Sequence, residues 1–64
     1  MGKVRRGNYV FLTWKGDHGP RHVHVYKDGK PLLTWDLEHG KAMRGRPTRR
    51  VLTLIRELQA EGLL

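Results

Sequence analysis

Three observations predict an α+β domain. Residues 8–14 are dense in β-branched and aromatic types, residues 21–26 alternate strictly, and an apolar stripe recurs at helical spacing after residue 50. The expected architecture is an antiparallel three- to four-stranded β-meander followed by one C-terminal α-helix packed on one face of the sheet.

The 64 residues, 1–64, make one small basic domain. A chain this short buries only about 60% of its unfolded surface, so its core is marginal. There is no cysteine, which excludes disulfide and thiolate-zinc staples. No apolar run approaches the ~20 residues that span a bilayer. No apolar signal region follows Met1-Gly2-Lys3-Val4-Arg5-Arg6. The expectation is a cytoplasmic protein with no membrane association.

Residues 1–7 read as a mobile basic arm. Asn8 to Trp14 is the first strand, and Lys15 to Pro20 is a loop punctuated by Gly16, Gly19 and Pro20. Arg21 to Tyr26 is the second strand, with Val23 and Val25 on one face and His22, His24 and Tyr26 on the other. A three-residue loop, Lys27-Asp28-Gly29, leads to a third strand over Leu32 to Leu37. It is preferred to a two-residue loop because it gathers more apolar side chains on one face. In this register Val23 meets Leu33, Leu12 meets Val23, Thr34 stands opposite His22, and Asp36 is a diagonal neighbour. The core face becomes Val10, Leu12, Trp14, Val23, Val25, Leu33, Trp35 and Leu37. The open face becomes Tyr9, Phe11, Thr13, His22, His24, Tyr26, Leu32, Thr34 and Asp36. After a turn at Glu38-His39-Gly40, Lys41 to Arg44 adds a short edge strand.

Pro47 suits the first helical position, where its missing N–H costs nothing. Val51, Leu54, Ile55 and Leu58 form the buried stripe, flanked by Leu52. Gly62 suits a left-handed stop, with Leu63 folded over Leu58.

The formal net charge is +7. Lys41, Arg44, Arg46, Arg49 and Arg50 crowd ten residues without an acid. Such a cluster suits a polyanion, most simply RNA, and equally an acidic protein. A solvated basic rim is the plain alternative. Arg46, Arg49 and Arg50 stand at the positive end of the helix dipole, where cations are disfavoured. Guanidiniums beside free N–H groups make a phosphate or carboxylate site.

His22 and His24 share a strand face near Asp36. A histidine oriented by a carboxylate is an acid–base arrangement. Beside a basic patch it suits RNA cleavage, in which the 2′-hydroxyl attacks while one histidine acts as base and another as acid. Ordinary structural histidines are the alternative, and the residues leave open whether the protein is an enzyme. A metal would take His18, His22 and His24, but the spacing falls short of a four-ligand structural zinc site. No metal and no cofactor are expected. Tyr9, Phe11 and Tyr26 could stack bases. The apolar part of the open face otherwise calls for a cover, from the arm or from a second copy of the chain in a homodimer.

Asp17-His18-Gly19-Pro20-Arg21-His22-Val23-His24-Val25, Asp36-Leu37-Glu38-His39-Gly40 and Arg44-Gly45-Arg46-Pro47-Thr48-Arg49-Arg50-Val51-Leu52 together resemble a bacterial domain-of-unknown-function family, number four-one-six-zero. Arg21 stands where that family usually has a second proline, and the helix stops at Gly62 where the family's usually runs on. The resemblance implies a small bacterial protein whose gene often sits beside another in toxin–antitoxin-like pairs, and hence a small protein partner and RNA as a target. It places the family's recurring histidines at His18, His22 and His24 and its basic helix start at Arg46, Arg49 and Arg50. Two functions of different class stay open. One is an RNA-binding or RNA-cleaving protein. The other is a non-enzymatic module that docks an acidic partner, with structural histidines.

Overall fold

The computed structural model describes residues 2–13 and 21–64. Five antiparallel strands form one sheet in the order β1-β2-β3-β4-β5. They are β1 Gly2–Arg6, β2 Tyr9–Thr13, β3 His22–Lys27, β4 Lys30–Asp36 and β5 Lys41–Gly45, and the helix α1 spans Arg49–Ala60. The α+β class and the meander-then-helix order are those expected, with one strand more. Trp14 and the Lys15–Pro20 loop, His18 included, lie outside the described residues.

The extra strand is the segment expected to be a mobile arm. Gly2 to Arg6 pairs along β2, from Gly2 opposite Thr13 to Arg6 opposite Tyr9. Gly7-Asn8 closes this hairpin with Gly7 at φ 58, the positive φ a type II′ turn needs at its first central residue. Arg6 reaches the helix end, where its Nη2 donates to Glu61 Oε1 at 2.6 Å. That exposed ion pair by itself contributes little.

The β2–β3 register differs from the expected one by a single residue. Phe11 pairs with Val25, and Leu12 with His24. One residue of slip exchanges the faces, so Phe11 and not Val10 or Leu12 enters the core, where it is 0% exposed. Burying the larger aromatic gains more apolar area. Tyr9 also turns toward the helix side and packs against the core. Neither Tyr9 nor Phe11 is therefore available for base stacking on the open face.

The β3–β4 turn is two residues long, not three. Asp28 and Gly29 both have positive φ, 52 and 78, the type I′ pattern. Lys27 pairs with Lys30 and Tyr26 with Pro31, then a bulge at Leu32 lets Val25 meet Leu33 and Val23 meet Trp35. A two-residue turn alone would have split the apolar residues between faces; the bulge restores their parity. Val23, Val25, Leu33 and Trp35 consequently share a face as expected, with different partners.

Helix α1 covers that face with Val51, Leu54, Ile55 and Leu58, all buried, against Phe11, Val23, Val25 and Leu33. It starts later than Pro47 suggests. Thr48 is the N-cap, its hydroxyl accepting the Val51 N–H at 3.2 Å, so Pro47 stands just outside the helix. A threonine cap satisfies an end donor that proline cannot. The stop is as expected: Gly62 N–H donates to the Gln59 carbonyl at 3.1 Å and Leu63 N–H to the Leu58 carbonyl at 2.9 Å, the Schellman pattern. No helix among the described residues is long and apolar enough to cross a membrane.

Candidate nucleic-acid interface

The helix occupies one face of the sheet, and cross-strand pairing assembles the other from three rows. One row runs Lys3–Leu12–His24–Thr34–Arg44, a second Arg5–Val10–Tyr26–Pro31, and a third His22–Asp36–Lys41. Strands alternate side chains between faces, so Lys3 and Arg5 line one edge of the open face and Arg44 and Lys41 the other. Tyr26, His24, Val10 and Leu12 lie between.

Two shallow concavities share Tyr26 as their divide. One, of about 250 Å³, is lined by His24, Tyr26, Pro31, Leu32, Thr34 and Arg44, among others. The other, of about 240 Å³, is lined by Lys3, Arg5, Val10, Leu12, Tyr26 and Gly29. Each thus joins an aromatic ring to at least one cation. Gly45 shapes the first of them. Its φ is 79, and a Cβ there would run into the Leu32 carbonyl oxygen and come within 2.9 Å of Leu33 Cα.

The expected histidine pair is present. The His22 and His24 rings stand 5.0 Å apart, edge to face. Thr34 Oγ1 lies 3.4 Å from His24 Nδ1, a long hydrogen bond. Thr34 is opposite His24, and Asp36 opposite His22, a shift of two residues from the expected pairing. Asp36 is 2% exposed, and its carboxylate turns to the β4–β5 connection. Oδ1 accepts the Glu38 and His39 N–H groups, both at 2.9 Å, and Oδ2 lies 2.8 Å from His39 Nδ1. Burial pushes its carboxyl upward, but the His39 backbone N–H, the His39 ring and the Glu38 N–H outweigh burial. The carboxyl sits below its ordinary value.

The sequence places His39 in a turn and assigns it no role in the site. Its signal was an aspartate three residues ahead and Gly40 behind, the makings of an Asx turn. Lys3 and Arg5 were missed as site residues because the arm hid their strand; Gly7-Asn8 was the available hairpin cue. Arg46, Arg49 and Arg50 are exposed at the helix start, just beyond Arg44 and Gly45. No acid occupies the first helical turn. Among the described residues, no group of three or more His, Asp or Glu is placed to hold a metal.

Residues 7–62 match the family described as Domain of unknown function (DUF4160). The chain belongs to this family. No curated protein and no solved structure matches it. The DUF4160 match takes in the histidine strand, the Asp36 turn and the basic helix start. It begins at Gly7, so β1 with Lys3 and Arg5 lies outside the matched span.

Proposed function

We propose that this domain binds single-stranded RNA across the open face of its sheet, as one member of a toxin–antitoxin-like pair. One observation carries the reading: the paired rows set cations on both edges of a face whose middle holds Tyr26 and His24. Backbone-tracking cations around a stacking surface are what sequence-tolerant single-strand binding requires. Four strand spacings separate the edges, about 19 Å, so a strand crossing the sheet meets charge at both ends. Arg46, Arg49 and Arg50 extend the phosphate contacts beyond β5. His22 and His24 are the acid–base candidates on that face. A small protein partner belongs to the same reading, since the family resemblance implies a paired gene arrangement.

Met43 favours a second reading. It is 50% exposed and sits at the bulge of edge strand β5 between Ala42 and Arg44. An apolar side chain on an unpaired basic edge suits an acidic partner that adds a strand there.

An amide-resolved NMR titration with a short uridine-rich RNA, at low and moderate salt, separates the two. RNA binding on the open face predicts shifts spreading over residues 3–5, 10–12, 22–26 and 41–50 that survive moderate salt. Shifts limited to 41–50 and lost with salt reduce the effect to generic charge attraction. An unchanged spectrum removes RNA and leaves the β5 edge and its protein partner.

A further inference from the structure

Asp36 is the one buried charged residue among those described, and its environment does more than close a turn. The turn is already closed. Gly40 N–H donates to the Asp36 carbonyl at 2.9 Å, and two backbone N–H groups cap Oδ1. The bond from His39 Nδ1 to Oδ2 is additional, and it is made by a side chain that remains 62% exposed. A ring so exposed is not there for burial. Glu38, the other carboxylate nearby, is occupied elsewhere: its Oε2 accepts the Arg21 N–H at 2.6 Å.

The chemistry of this pair is directional. A carboxylate held ionised by several donors accepts from Nδ1, so the proton of a neutral His39 sits on Nδ1. That leaves Nε2 as an unprotonated acceptor on a side chain that is 62% exposed. A fixed tautomer with an Nε2 lone pair, backed by a buried carboxylate, is the arrangement of a general base. The surroundings are those a phosphodiester needs. Asp36 lies in the row His22–Asp36–Lys41, His24 stands edge to face with His22, and Lys41 follows His39 by two residues.

We propose that His39 is the general base of an RNA-cleaving site at this end of the open face, with Asp36 as its positioning residue. The proposal rests on the RNA reading above and replaces a His22–His24 pair with His39 and His22. Nε2 of His39 takes the proton of a ribose 2′-hydroxyl. The 2′-oxygen then bonds to phosphorus as the bond from phosphorus to the 5′-oxygen breaks. The departing 5′-oxygen takes a proton from the His22 imidazolium. The products are a 2′,3′-cyclic phosphate and a 5′-hydroxyl, and solvent exchange returns one proton to His22 and removes one from His39. Lys41 and Arg44 hold the phosphate charge.

The test compares wild type, His39→Asn and Asp36→Asn for binding and cleavage of the same uridine-rich RNA. Asparagine at 39 keeps an N–H donor near the Nδ1 position, so the turn is preserved; amide spectra check this directly. The expected result is unchanged RNA affinity, cleavage slowed about 10²- to 10⁴-fold, and partial recovery in added imidazole, which a structural role would not show. Asp36→Asn should lower kcat and leave KM alone. Cleavage by His39→Asn within about threefold of wild type (well short of a lost general base) overturns the base assignment and leaves RNA binding intact. So does wild-type protein that binds RNA without cutting it. Wild-type protein that neither binds nor cuts overturns the RNA reading and the base together.

Discussion

A carboxylate buried to 2% exposure costs free energy unless donors replace its water, and Asp36 has three within 2.9 Å. These bonds favour the ionised form in the folded state, so its carboxyl is lowered there. A lowered carboxyl stabilises the fold above its unfolded value, and that contribution is lost as pH falls through the folded value. Wild-type thermal stability should therefore drop more steeply than that of Asp36→Asn as pH falls below the ordinary carboxyl value of 3.8, measured by circular dichroism melts; parallel curves would refute it. Gly45 is the other residue whose environment dictates its type. With φ 79 and backbone atoms of Leu32 and Leu33 in the way of a Cβ, Gly45→Ala should cost at least about 1–3 kcal/mol. The check is the midpoint of urea unfolding at unchanged slope.

At the scale of elements, the hairpin turns and the caps set where strands and helix begin and end. Thr48 supplies the hydroxyl that caps α1. Thr48→Ala should cost about 1 kcal/mol, which lowers Tm by about 4–8 °C in a domain of this size. The β2 register makes a sharper prediction, because it decides which of two adjacent residues is core. Phe11→Ala should cost about 3–5 kcal/mol, whereas Leu12→Ala, on the open face, should cost about 1 kcal/mol or less. Equal losses on denaturant unfolding would reverse the faces.

Across the whole molecule, one sheet separates two tasks. The helix side holds Phe11, Val23, Val25, Leu33 and the α1 stripe, and carries the stability of a chain with no cysteine. The other side is the one proposed for RNA, with cations contributed by strands at opposite ends of the sheet order. If Lys3, Arg5, Lys41, Arg44, Arg46, Arg49 and Arg50 each meet a phosphate, log Kd for single-stranded RNA should change with log salt with a slope of about 4.9 in magnitude, or about 0.7 per contact. Lys3→Ala with Arg5→Ala should bring it to about 3.5. A slope unmoved by that double variant would take β1 out of the interface. A second copy of the chain seated on the same face would compete, and would show as a dimer by sedimentation that RNA dissociates.

The class of the fold, the helix stripe and its glycine stop, and the alternation of β3 were legible in the chain because each is set by neighbours within a few residues. The basic cluster and the His22–His24 pair were legible for the same reason. The register of β2 was not, since Phe11 and Leu12 alternate equally well and only packing against α1 chooses between them. The bulge at Leu32 was hidden because it matters only once β3 and β4 must present their apolar residues together. β1 looked like a charged arm until β2 was there to pair with it. The Asp36–His39 contact forms across a turn, and the rows joining Lys3 to Arg44 form across five strands. Tertiary pairing decided the rows, because those side chains do not meet until the backbone hydrogen bonds of the sheet bring them together, whereas Asp36 and His39 are three residues apart and meet within the turn itself.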